Sequence, residues 1–215
     1  MTAADDLEEA VGCVVAALQP AVDADWSVRA GTIEWSCRQT AEHIGQAQLH
    51  WASQLAVEAQ TKYVRWSAQV QTLAPAAGVL EFVEAAGRIL ALVVRASPSS
   101  VRAFHPWGIG DPAGFAAMGC VEVLVHGQDL ASGLGCTLEP SAELCERVLA
   151  RLFPHEPRGA ADPWLNLRWL TGRATVAGMP SPESWRWRPT PLDEAWDPAP
   201  VAAPMLFTPL SVPPE

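Results

Sequence analysis

"GFAAMGCVEVLVHGQDLASGLG", Gly114–Gly135, reads as a helix that is apolar around nearly its whole circumference. Val121, Val123, Leu124 and Val125 cover successive faces of it, and a helix apolar on all sides belongs in an interior. Asp111 is placed to cap its start and Pro112 to occupy its first turn, while Gly133 or Gly135 ends it near Ser132. Inside this run stand Glu122 and His126. At a spacing of four residues both project from one face, and neither sits buried without a partner. Two arrangements satisfy them. An Arg from a neighbouring helix can pair with Glu122 while His126 is a hydrogen-bonded core imidazole. Alternatively, a metal ion can take both, with a further ligand from another helix.

The stretch from about Thr32 to Tyr63 contains no Pro and carries Trp35, Ala41, Ile44, Leu49, Trp51 and Leu55 at helical spacing, so it reads as one long helix. It supplies His43 and, two turns on, His50. One of these with Glu122 and His126 makes a two-histidine, one-carboxylate set. Three protein ligands leave coordination positions open for water or substrate, the catalytic rather than the structural arrangement. Imidazole and carboxylate suit Zn, and also Fe, Ni or Mn. Asp129, about one turn beyond His126, is either an outer acceptor for a ligand histidine or a polar residue near the helix end.

Around these two segments the chain alternates helical stripes with breakers. Residues 5–19, DDLEEAVGCVVAALQ, form a first helix with acids in its opening turn and Pro20 at its end. A further helix runs from Val79 to Ala96, and a shorter one from Pro140 to Phe153 with Ser141 as cap. The loop FHPWGIGDP, holding His105 and Trp107, reads as a Gly/Pro-rich turn that can line a pocket mouth. After Pro154 the character shifts: ADPWLNLRWLTGR is a short helix, and ATVAG and SWRWRP read as short strands. The expected architecture is mainly α: a four-helix bundle over residues 1–153, a small C-terminal α/β appendage over 154–190, and a Pro-rich tail over 191–215.

Composition excludes several functions. The chain has 215 residues and a formal net charge of -10, without a Lys/Arg stripe, which speaks against nucleic acid or an anionic membrane as partner. The acidic start MTAADDLEEA is unlike a basic-then-apolar leader, and ILALVV near residue 90 is too short to span a bilayer. Five widely spaced cysteines with no CxxC read as reduced thiols, so a cytoplasmic setting is expected. Cys120, two residues before Glu122, faces the core.

DWSVRAGTIEWSCRQTAEHI (25–44) and GFAAMGCVEVLVHGQDLASGLG resemble the two signatures of the mycothiol-dependent maleylpyruvate isomerase family, a branch of the DinB-like superfamily. DPWLNLRWLTGRATVAG and SWRWRP resemble the appendage of its actinobacterial members, so the likeness covers about residues 5–190. It implies a DinB-like up-and-down four-helix bundle holding a divalent metal, most often zinc, on His43, Glu122 and His126. His50 matches no ligand position, and Glu42 should point away from the ion.

The resemblance also implies mycothiol as a possible cosubstrate, and isomerase or S-transferase chemistry on a small electrophilic or acidic metabolite. A metal-bound thiol ionises near neutral pH. Its addition to an activated double bond, rotation and elimination amount to isomerisation; its attack on a carbon bearing a leaving group amounts to transfer. Arg38, Arg65, Arg88 and Arg102 are placed either as contacts for anionic groups or as surface charges. Two other readings stand beside this one: a DinB-like metalloenzyme with non-thiol chemistry, such as hydrolysis or a secondary-metabolite step, and a non-catalytic bundle that binds a small ligand. Such a protein is a monomer or a homodimer.

Overall fold

The structure, a computed structural model, describes residues 1–180, 182 and 185–198. Most of the expected Pro-rich tail, residues 199–215, lies outside the described residues. Helices dominate: α1 (Ala3–Leu18), α2 (Cys37–Ala56), α3 (Ala76–Ala96), α4 (Pro112–Leu134), α5 (Ala142–Leu152) and α6 (Pro163–Leu170). Between α3 and α4 a two-stranded antiparallel hairpin, β1 (Ala103–His105) and β2 (Gly108–Gly110), turns at Pro106 and Trp107.

Local chemistry explains the helix limits. Thr2 and Asp5 form a capping box at α1, and Ser36 and Gln39 form one at α2. Asp111 caps α4 with Pro112 behind it, and Gly135 closes that helix in the left-handed conformation at φ 70°. Ser141 caps α5 and Asp162 caps α6. The long helix expected over 32–63 is shorter. Ser36 caps it at its start, so Trp35 stands in the preceding loop, and the chain leaves the helix after Ala56 with Glu58 at φ 50°.

α1 and α2 each pack against both α3 and α4, so the four helices form a ring in the order α1–α3–α2–α4. Pairwise contacts give their directions. Leu7 meets Gly119 and Val14 meets Gly127, so α1 and α4 run parallel. Gly45 lies on the Phe82 ring and Arg38 bonds Ala74 O, so α2 and α3 also run parallel. Asp5 and Glu8 pair with Arg95 while Val11 meets Gly87, which makes α1 and α3 antiparallel. Gln48 donates to Gly119 O, and Cys37 meets Gly133, which makes α2 and α4 antiparallel. The bundle is therefore up-down-down-up, and this corrects the simple up-and-down alternation.

The connection over residues 57–75 makes this order possible, because it retraces α2. A helix the length of α2 is about 30 Å long, a distance that stretch spans easily. Val64 N donates to Gln54 Oε1 at 2.7 Å, Tyr63 packs on His50, and Arg38 reaches Gln71 O and Ala74 O. Buried Gln54 also donates to Phe104 O, so one amide ties α2 to both the crossover and the hairpin.

One continuous core runs from α1 through α4 and α5 into the appendage, where Trp164, Leu167, Trp169, Leu170 and Trp187 join it. The strands expected at ATVAG and SWRWRP form no ladder; the two strands of the described residues are β1 and β2. Trp185 and Trp187 do share one side of an extended segment, but they stack with each other (5.4 Å) and with Trp107 (5.9 and 5.3 Å). Ring packing, with hydrogen bonds from Arg188 N to Leu152 O and from Arg151 to Arg188 O, holds that segment in place of strand pairing. Among the described residues no helix is long and apolar enough to cross a membrane.

Candidate metal centre

His43 stands on the second turn of α2, and Glu122 and His126 stand on successive turns in the middle of α4. The antiparallel contact of these two helices brings the three together. A small residue allows this approach: Gly119 of α4 sits so close to α2 that an added Cβ would lie 2.8 Å from Gln48 Oε1. Glu42, next to His43, turns outward and pairs with Arg38 at 3.0 Å, as the resemblance implies.

Glu122 Oε2 lies 3.4 Å from Nε2 of His43 and 3.4 Å from Nε2 of His126. That oxygen is shut off from solvent and makes no hydrogen bond of acceptable geometry. A buried carboxylate oxygen left so is costly. An ion binding N and O ligands tetrahedrally at about 2.0–2.1 Å separates them by about 3.3–3.4 Å, which is the spacing found. One donor atom from each residue lies within 4.8 Å of the others, so the group can hold a metal ion. The side chains of His43, Glu122 and His126 are 20, 16 and 15% exposed, although the Glu122 oxygen between the imidazoles is not. No Arg pairs with Glu122 among the described residues, so the alternative of an Arg ion pair is not the arrangement present.

Electrostatics favour an anionic carboxyl here. Burial pushes the Glu122 carboxyl up, but the facing His43 imidazole, the charge His126 can carry, and Arg173 push it down and prevail. His126 presents Nε2 to the group because its Nδ1 faces Asp129 Oδ2 at 3.0 Å. With Asp129 as acceptor, Nδ1 carries the proton and Nε2 keeps its lone pair for a metal. Asp129 is itself nearly inaccessible and is held by Arg173, whose Nη2 lies 3.0 Å from the same oxygen. Trp35 leans over the outer side, its ring 4.9 Å from that of His43 and 6.3 Å from that of His126.

Other expected residues lie elsewhere. His50 packs edge-on against Tyr63 at 4.5 Å, and burial lowers its pKa to about 4. His105, the last residue of β1, is buried with Trp107 and Trp187 around it, and burial takes it to about 3. Trp107 is half-buried and shares the Trp185–Trp187 stack. Arg38 is used on Glu42 and loop carbonyls, Arg88 on Glu84, and Arg102 on Glu194, while Arg65 is exposed. Cys120 is fully buried, and burial drives its thiol up, as suits a packed core thiol.

Two residues of the site were not found by sequence reading. Arg173 lies in the appendage, and its only sequence signal is that buried Asp129 requires a cation from somewhere. Helical spacing places Trp35 on a helix, but the S-x-x-Q pattern of Ser36 and Gln39 marks the true helix start. No family model, curated protein or solved structure matches the chain.

Proposed function

We propose that this protein is a metal-dependent enzyme of the DinB-like, maleylpyruvate isomerase type. In this reading His43, Glu122 and His126 hold a divalent ion, zinc first among the candidates, and mycothiol or a similar small thiol is the cosubstrate. The observation that carries it is Glu122 Oε2, equidistant at 3.4 Å from two imidazole nitrogens without a hydrogen bond. A bound zinc ion would supply Lewis acidity and lower the pKa of a coordinated thiol or water. The protein's own residues do the remainder. Asp129 fixes the His126 tautomer, Arg173 fixes Asp129, and the Trp35 ring restricts water on one side of the group.

Metal analysis of the purified chain tests the site. About one zinc per chain is expected in the wild type, and little in His43→Ala, Glu122→Ala or His126→Ala. Full occupancy in all three variants would sink the reading. Incubation of the zinc form with mycothiol and an electrophilic acid, followed by mass spectrometry, tests the chemistry; an adduct or an isomer is expected.

A second reading uses the same ion without a thiol, for hydrolysis or another metal-assisted step. It asks for no thiol subsite, and among the described residues Arg38, Arg88 and Arg102, the arginines considered for contacting a cosubstrate, are each engaged by local carboxylates or carbonyls. Zinc binding with no thiol-dependent turnover selects this reading.

A further inference from the structure

We infer that the C-terminal appendage is a positioning element of the metal centre, and that docking it and filling the centre strengthen each other. The inference rests on the metal reading above. Its basis is a continuous chain of polar contacts from the appendage to the ligand. Arg173 follows the Gly172 turn (φ 76°) that ends α6. Its Nη1 donates to Thr171 O at 2.7 Å, which holds the guanidinium still. Nη2 donates to Asp129 Oδ2 at 3.0 Å and Nε reaches Oδ1 at 3.4 Å, so the fork grips both carboxylate oxygens. Oδ2 in turn accepts from His126 Nδ1 at 3.0 Å.

Asp129 has little freedom. It is 2% exposed, and the Gly31 turn packs beside its backbone. A carboxylate so buried needs its cation. The one it has comes from a segment more than forty residues later, seated by Trp164, Leu167, Trp169 and Leu170 in the bundle's core. Arg173 therefore acts through Asp129 on the orientation of the His126 ring, while its charge also reaches Glu122. Partners at this remove change metal affinity by about 10- to 100-fold when lost. If the appendage raises metal affinity, the metal must tighten the appendage by the same factor.

The test uses the full chain and zinc alone. Zinc affinity is measured by competition with a chelator for the wild type, Arg173→Met, Arg173→Lys and Asp129→Asn. Amide hydrogen exchange is followed in parallel at Thr171, Gly172 and Arg173, whose N–H groups bond back to Leu167, Trp169 and Arg168. Zinc should slow exchange at these three amides in the wild type by about tenfold. Arg173→Met should bind zinc about tenfold more weakly and lose the zinc-dependent protection. Arg173→Lys, which keeps charge but not the fork, should recover only part of both. Wild-type affinity in Arg173→Met, or no zinc effect on exchange in the wild type, overturns the inference while leaving the metal site standing. The exchange comparison needs no variant, so a poorly folding Arg173→Met does not shelter it. Failure of the wild type to bind zinc overturns both.

Discussion

His43 and His50 lie two turns apart on α2, and the structure treats them in opposite ways. His43 faces the carboxylate of Glu122 and the ring of His126, with Trp35 as its outer cover. His50 faces Tyr63, and beyond that ring lie Phe104 and His105. The first neighbourhood brings two imidazoles and a carboxylate together, one donor atom from each within 4.8 Å of the others. The second is an aromatic stack in which the imidazoles behave as neutral packing groups. Spacing along a helix brings two histidines to one side, but only the element opposite decides whether each is a ligand or a piece of core. Opposite His43 stands α4; opposite His50 stands the crossover.

The sharpest way to break this comparison is to exchange the two losses. His43→Ala should reduce zinc affinity by at least about 100-fold, whereas His50→Ala should leave it within about twofold. Chelator competition on both variants measures the contrast, and equal losses would dissolve it.

Acid separates the two neighbourhoods next. His50 and His105 have folded pKa values near 4 and 3, below the unfolded value near 6.5, so between those limits the unfolded chain binds more protons. Stability therefore falls as the pH drops below about 6.5, and their contribution to the loss ends near pH 4 and pH 3. Together they should cost on the order of a few kcal/mol. Urea midpoints at pH 7 and pH 5 for the wild type and His50→Phe provide the check: the variant should lose less on acidification, and an identical loss would show that His50 is not held neutral.

Smaller effects test each neighbourhood from within. Trp187 Nε1 lies 3.3 Å from His105 Nε2, and Trp187→Phe should cost about 1 kcal/mol in chemical denaturation while sparing zinc affinity. Trp35→Ala should leave stability nearly unchanged and speed zinc release to a chelator by about threefold, since the ring only limits solvent access to His43.

The parts that sequence patterns predict well are those where local chemistry and burial agree. α4 shows its cap, its proline, its apolar circumference and its terminal glycine in one stretch, and it forms as expected. Glu122 and His126 follow from it directly, whereas spacing leaves His43 and His50 both open and only the family resemblance selects His43. The end of α2 shows no Gly or Pro, and Glu58 takes the left-handed turn where glycine is usual, so the periodic pattern extends past the true helix end. Helix direction depends on how residues 57–75 are tied to Gln54 and Arg38, contacts between segments that no local pattern records. Trp185 and Trp187 alternate as a strand would, but their partners are rings rather than a neighbouring backbone. Arg173 is one of many arginines until the fold places Asp129 beside it.

The up-down-down-up order bears on when the protein can assemble. α2, the crossover and α3 are contiguous, so their contacts can form while the rest of the chain is still being synthesised. α1 must wait for α3 and for α4, its parallel neighbour, which lies about a hundred residues away in sequence. Closing so long a loop carries an entropic cost before any contact repays it, which slows folding relative to a bundle of sequential hairpins. Since α4 brings two of the three residues that could hold a metal ion, that group is complete only at this late step. A metal ion can then act as a lock on the finished bundle, but not as a template for its earliest stages.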